Sequence, residues 1–257
     1  MNVLVTGGTG TLGRHVVMLL RLSGHRARIL SRQPRGHVDA VQGDLRTGAG
    51  LEKAVAGMDA IVHAATGARQ SLTSVAVDVR GTRRLVNVAH DAHIKHLLYV
   101  SIVGIERVAN PYYGTKLRAE AIVREGSVPW SILRATQFHD LMETFLGAFS
   151  RLPGVAMVPF GWQFQPVHAV EVAQRAVDVV LGDPAGALPD FGGPQIRDFK
   201  GIAQSWLAAR KQPKRLVNLR LPLKLSRQVA EGRLLCPDHM DGKITFEQYL
   251  AMKYPQS

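Results

Sequence analysis

Asn2-Val3-Leu4-Val5-Thr6-Gly7-Gly8-Thr9-Gly10-Thr11-Leu12-Gly13-Arg14-His15-Val16-Val17-Met18-Leu19-Leu20 decides the fold. Residues 2–6 are apolar enough for a buried strand. A glycine-rich turn follows at once, and the run from Arg14 has the apolar spacing of a helix. In a strand–turn–helix unit, one glycine makes the tight turn and a second lets the backbone approach a pyrophosphate. A third lets helix and strand pack closely. Gly8, Gly10 and Gly13 fit one glycine spacing for such a site. Gly7, Gly10 and Gly13 fit another. The amides at Thr11, Leu12 and Gly13 then open the helix and face the phosphates with its partial positive charge. The competing reading is an ordinary glycine-rich turn, which the flanking strand and helix argue against.

The rest of the chain alternates in the same way. Strand-like runs at 26–31, 40–42, 60–65, 97–101 and 130–134 are separated by helix-like runs at 50–56, 74–92 and 112–125, with another helix at 171–181. That order predicts an α/β fold, a Rossmann-type doubly wound parallel sheet. The tail reads differently, with helices at 198–209 and 246–252 around a strand at 216–219. We expect a dinucleotide-binding domain over residues 1–185, with 138–165 contributing to the substrate pocket. Residues 186–257 are expected to form a small C-terminal α/β lobe on the substrate side.

The end of the second strand selects the cofactor. An acid there bonds the ribose 2′-hydroxyl of NAD, whereas an arginine accommodates the 2′-phosphate of NADP. Ser31 and Arg32 occupy the place, Arg35 is close by, and no Asp or Glu precedes Asp39. A guanidinium can grip a phosphate through two bonds. The expectation is NADP(H), with Arg32 on the 2′-phosphate; the competing reading is a loop arginine facing water.

Composition bounds the rest. A hydrophobic fraction of 46% and a charged fraction of 20% are those of a soluble globular protein. Cys236 is the only cysteine, so no internal disulfide can form, and with a strand from residue 2 no leader is expected. A cytoplasmic location is expected, with no membrane span. The formal charge is +12. Its basic C-terminal stretch lacks interleaved aromatics, so it reads as a solvated surface and no nucleic-acid partner is expected. Asp241-Gly242-Lys243-Ile244-Thr245-Phe246-Glu247 is similar to half of a calcium loop. Pro237, His239 and Gln248 would fill its first, third and twelfth places, so calcium is rejected. Thr245 reads as a helix N-cap instead. His90, His93 and His96 recur every three residues and read as solvated. No metal site is expected.

Taken in order, these motifs resemble the short-chain dehydrogenase/reductase superfamily, and its atypical, NmrA-like group most closely. Gly43-Asp44-Leu45 resembles the element whose Asp sits by the adenine. His63-Ala64-Ala65-Thr66 is similar to the strand end that lines the cofactor. Asp78-Val79-Arg80-Gly81-Thr82 stands where the family has an Asn-containing helix motif. Tyr112-Tyr113-Gly114-Thr115-Lys116 contains Tyr-x-x-x-Lys, and Gln165-Pro166-Val167-His168 with Glu171-Val172-Ala173 is similar to a further family segment. The resemblance implies cofactor contacts at Asp44, Leu45, Ala64, Ala65 and Thr66, and a bond from Lys116 to the nicotinamide ribose.

Tyr112 and Lys116 are one helical turn apart and share a face. An ammonium beside a phenol is expected to lower its pKa from about 10, which suits proton transfer by Tyr112 while the nicotinamide exchanges hydride. Tyr113 has the wrong spacing to Lys116. The serine the family uses to hold a substrate carbonyl falls one or two residues after Ser101, where this chain has Ile102 and Val103. Neither side chain donates a hydrogen bond, so the triad is incomplete. Phe138 and His139, following the sixth strand, are candidate substrate-pocket residues. The expected function is NADP(H)-dependent reduction of a small carbonyl, enone or quinone. The alternative is a non-catalytic NADP(H) sensor that binds a protein partner. An epimerase or dehydratase fits less well, because it needs a complete triad and a longer substrate domain.

Overall fold

The computed structural model describes residues 1–34, 36, 38–67 and 74–255. The chain divides into two compact units. The first comprises Met1–Ser101, Asn110–Arg134 and Val172–Pro189. The second comprises Ile102–Ala109, Ala135–Glu171 and Asp190–Ser257. The second unit therefore draws on three stretches of sequence, where the sequence suggested one C-terminal segment beginning at 186.

Unit one is built on a seven-stranded sheet. Its first six strands are β1 (Asn2–Thr6), β2 (Arg26–Ser31), β3 (Ala40–Gln42), β4 (Ala60–His63), β5 (His96–Ile102) and β6 (Trp130–Ala135), and Gly186–Ala187 adds the seventh. The spatial order is β3-β2-β1-β4-β5-β6 and then Gly186–Ala187. Pairing is parallel at β1/β2, β1/β4, β2/β3 and β4/β5. The chain first winds outward through β2 and β3, then returns to the other side of β1 at β4. That reversal opens a crevice at the carboxyl ends of β1 and β4, where open α/β sheets bind ligands.

Each strand is apolar because it is covered. Val3, Leu4, Val5, Ile61, Val62, Leu97 and Leu98 are all fully buried. Helix α1 (Gly13–Leu22) turns Val16, Val17 and Leu20 inward and leaves Met18 and Leu22 exposed. Helix α2 (Leu51–Val55) adds Leu51, Ala54 and Val55 to the core. The long helix expected over 74–92 is not uniform. Residues Val75–Gly81 form a π-helical stretch, and the regular helix α3 (Thr82–Asp91) follows. Helix α4 (Pro111–Glu125) starts on Asn110, whose side chain accepts the Tyr112 N–H, with Pro111 in the first turn.

His96 is not solvated. Helix α3 ends at Asp91, His93 takes a left-handed φ of 53°, and His96 becomes the first residue of β5. It is buried, bonded to Ser131 Oγ at 2.8 Å and to the Gly182 carbonyl at 3.1 Å. The three-residue repeat misled because the helix stops before its third member. His90 and His93 are exposed.

Unit two holds helices His139–Phe149, Phe199–Ala209, Lys224–Ala230 and Phe246–Lys253. Val155–Val158 pairs in parallel with Arg215–Asn218, and Gln163–Phe164 pairs antiparallel with Arg197–Asp198. Its core is aromatic, with Phe149, Trp162, Phe164 and Phe199 in mutual ring contact. Asp198 caps one helix, and Thr245 with Gln248 forms a reciprocal capping box on another.

Candidate cofactor and proton-transfer site

The glycine turn is set by two steric limits. Gly7 has φ of +70°, and a Cβ there would lie 2.8 Å from the Ala65 backbone. A Cβ on Gly13 would lie 2.1 Å from the Gly7 carbonyl oxygen. The turn is closed by Gly10 N–H donating to Gly7 C=O at 2.9 Å. The working register is therefore Gly7, Gly10 and Gly13, with Gly8 packed on Ile29. Arg14 N–H to Gly10 C=O is the first bond of the helix. The amides of Thr11, Leu12 and Gly13 precede it and are left to an anion. No acidic side chain sits in the first turn of α1. A cradle that a single methyl group would fill, opening on helix N–H groups, fits a pyrophosphate.

Thr6 pairs with His63 across β1 and β4, so the turn faces Ala64, Ala65 and Thr66 at the crevice. Thr6 Oγ1 also receives the Ala65 N–H. His63 is fully buried between Thr6 Oγ1 at 2.6 Å and Thr82 Oγ1 at 2.9 Å. Burial, with Lys116 nearby, pushes its pKa down to about 3, so it stays neutral and structural.

At the end of β2, Arg32 is exposed, and no hydrogen-bond or ion-pair partner is found for it among the described residues. The first acid in the chain, Asp39, precedes β3 and lies at the opposite end of the strand. Its carboxylate turns to Arg26 at 3.5 Å and Arg21 at 3.8 Å. A 2′-phosphate at Arg32 would meet no repulsion from Asp39. Arg35 lies outside the described residues. Asp44 follows β3 on the same edge, and Leu45 beside it is buried in the core.

Thr66 Oγ1 and the Tyr112 hydroxyl are 3.0 Å apart, which brings the end of β4 and the first turn of α4 together. Lys116 lies one turn further on and is 4% exposed. Its Nζ donates to the Val100 carbonyl at 2.9 Å and stands 4.2 Å from the centre of the Tyr99 ring. Burial lowers its pKa to about 8, against the opposing pull of Asp78 and Glu120. The expected lowering of the Tyr112 phenol is not found. Burial raises it to about 12, with the Thr66 bond opposing. Burial is the largest influence on the phenol, and the lysine ammonium is engaged by the Val100 carbonyl on β5 and the Tyr99 ring.

Sequence reasoning passed over three groups beneath this site. Asp78, on the π-helical stretch, is fully buried; Oδ2 accepts the Gly67 N–H, and Oδ1 has no partner among the described residues. Glu120 is fully buried and held by Arg134 and Arg124 at 2.8 Å each. Burial alone would raise its carboxyl, but the Arg134 bonds keep it below the ordinary range. Arg46 grips Asp44. Position in the Asp-Val-Arg-Gly-Thr segment was the available signal for Asp78, and the Asp-x-Arg spacing was the signal for Arg46.

Phe138 and His139 belong to unit two. Phe138 is half-buried and bridges to Val167. His139 is fully buried, and its Nε2 donates to the Ile244 carbonyl at 3.1 Å. Burial drops its pKa to about 4, so it is neutral at physiological pH and a poor proton donor. Ser101 is buried, Ile102 half-buried and Val103 fully buried. No group of three metal-binding side chains occurs among the described residues, nor any helix long and apolar enough to cross a membrane.

A parallel sheet whose reversal point carries this glycine turn defines a dinucleotide-binding protein of the short-chain dehydrogenase/reductase type. Residues 7–149 match the NAD(P)H-binding family, and the chain belongs to it as an atypical, NmrA-like member. Ceramide reductase of Caulobacter vibrioides is 29% identical over 214 residues, covering 79% of this chain and 67% of that protein. Photosystem II assembly factor Ycf39 of Trieres chinensis is 28% identical over 149 residues, covering 54% of this chain and 47% of that protein. The chain thus spans about half to two thirds of these relatives. Among solved structures, a short-chain dehydrogenase/reductase superfamily protein of Agrobacterium tumefaciens with bound NAD superposes with a TM-score of 0.76. It is 19% identical, over 98% of this chain and 95% of that one, and shows the same fold.

Proposed function

We propose that the chain is an NADP(H)-dependent oxidoreductase that reduces a small carbonyl, enone or quinone. One observation carries the reading: the Tyr112 hydroxyl is held on Thr66 at the cofactor crevice, one turn from the buried Lys116. Bound NADPH supplies the hydride. The Thr11, Leu12 and Gly13 amides hold the pyrophosphate, and Arg32 holds the 2′-phosphate. Asp44, Leu45, Ala64 and Ala65 line the adenine and nicotinamide arms, and Lys116 positions the nicotinamide ribose. Burial keeps the Tyr112 phenol protonated at neutral pH, so the one transfer open to it is donation, the reductive direction, with its pKa of about 12 making it a weak acid. A quinone suits Ile102 and Val103 best, because its oxygens can draw protons from water without a serine donor. Phe138, half-buried after β6, is the remaining pocket candidate from the sequence, whereas His139 is fully buried on the Ile244 carbonyl and serves the packing of unit two. The reductase named among the relatives supports this class of chemistry.

A second reading, a non-catalytic NADP(H) sensor with a protein partner, draws on the missing serine and on the assembly factor among the relatives. NADPH oxidation across a panel of quinones, enones and aldehydes separates the two. The enzyme reading expects turnover that Tyr112→Phe abolishes or sharply reduces while NADP+ affinity is kept. Tight binding with no turnover on any substrate, together with NADP-dependent capture of a partner, would favour the sensor.

A further inference from the structure

The loop after β3 places a carboxylate beside the proposed phosphate site. Ser31 pairs with Gln42, and Gly43 N–H donates to Ser31 C=O at 3.0 Å. Arg32 and Asp44 therefore leave adjacent strands at the same sheet edge. Left bare, Asp44 would oppose a 2′-phosphate twice: its charge would repel the dianion, and it would compete for the Arg32 guanidinium.

Asp44 is not bare. Arg46 Nε reaches Oδ2 at 2.9 Å and Oδ1 at 3.2 Å, and its Nη2 reaches Oδ2 at 2.6 Å. The Arg46 N–H adds a fourth bond to Oδ1 at 2.8 Å. The loop is fixed from behind. Asp44 N–H donates to Ala49 C=O, Gly48 N–H donates to Asp44 C=O, and Arg84 bonds the Leu45 and Arg46 carbonyls at 3.3 and 2.7 Å. Arg46 and Arg32 both hold the Asp44 carboxyl below its ordinary range, Arg46 through hydrogen bonds and Arg32 by charge alone. Arg32 itself makes no hydrogen bond to Asp44.

We propose that Arg46 is a cofactor-specificity residue that acts through Asp44: by occupying both carboxylate oxygens, it keeps Asp44 from pairing with Arg32 and leaves the edge net positive for a 2′-phosphate. Arg46 is thus a positioning residue. The inference rests on the proposed preference for NADP(H) and explains how an acid two residues before it is tolerated there.

The test is a set of binding isotherms with NADP+ and NAD+ on the full chain and on Arg46→Ala, Asp44→Asn and the double variant. Arg46→Ala is expected to weaken NADP+ on the order of tenfold, the scale of one exposed charge acting on a phosphate dianion. Its NAD+ affinity should change little, which also shows the loop still folded. Adding Asp44→Asn to Arg46→Ala should restore the preference, because no carboxylate is left to mask. Wild type binding both cofactors equally sinks the NADP(H) reading itself. Wild type preferring NADP+ while Arg46→Ala keeps the same ratio overturns the role of Arg46 alone. Equal weakening of both cofactors, with no rescue in the double variant, makes Arg46 a brace of the loop and overturns it as well.

Discussion

Replacing Lys116 with methionine tests whether this lysine is kept for function at a cost in stability. Burial holds Lys116 at about 8 against an ordinary value of 10.5. At neutral pH the folded state carries a charge it disfavours, and the gap is worth about 3 kcal/mol. Lys116→Met removes that penalty and leaves the Val100 carbonyl without its donor, which costs about 1 kcal/mol. The net expectation is stabilisation of about 2 kcal/mol, or roughly 4–8 °C in Tm for a chain of this size. The pH signature is sharper. Above about pH 8 the folded lysine loses its proton while the unfolded one keeps it until about 10.5, so wild-type stability should gain from this group across that window. Thermal unfolding at pH 7, 8, 9 and 10 on wild type and variant measures both effects. Lys116→Met should melt higher at pH 7 and lack that alkaline gain, while binding NADP+ more weakly. A variant that melts lower at pH 7, or shows the same alkaline gain, refutes the reasoning.

Three further outcomes follow from the same geometry. Gly13→Ala drives a Cβ into the Gly7 carbonyl at 2.1 Å and should cost about 1–3 kcal/mol of stability, cofactor affinity or both, read by calorimetry with NADP+. Glu120→Gln leaves Arg134 and Arg124 without their buried carboxylate and should destabilise by about 3 kcal/mol in urea unfolding. His63 and His139 are held neutral in the fold at about 3 and about 4, while unfolded histidines protonate near 6.5. Stability should therefore fall as pH drops below 6.5, by up to about 1.4 kcal/mol per histidine per pH unit, and His139→Phe should soften that fall.

The opening turn was legible because its constraints are mostly local. Gly10 and Gly13 are limited by the Gly7 carbonyl a few residues away, and Gly7 itself by its positive φ and the distant Ala65 backbone. The place of Arg32 directly after β2 was legible for the same reason. What the sequence concealed depends on contacts far along the chain. The Tyr112–Lys116 spacing puts both residues on one helix face, but the depth of that face under β5 decides where the ammonium points and sets the direction of the phenol shift. The composition of unit two was hidden because its strands are two to four residues long and pair across 33 or more positions, as Arg215–Asn218 does with Val155–Val158. Arg46 directly follows the recognised Gly43-Asp44-Leu45 motif, yet only the folded loop shows both Asp44 oxygens occupied.

A crystal structure of the chain with NADP+ tests the central claim most directly. It should place the 2′-phosphate on the Arg32 guanidinium, with Asp44 still held by Arg46. The pyrophosphate should sit on the Thr11 and Leu12 amides, and the nicotinamide ribose within reach of Lys116 and Tyr112. A 2′-phosphate facing open solvent away from Arg32, or a ribose that leaves Lys116 bonded to Val100 alone, would contradict it.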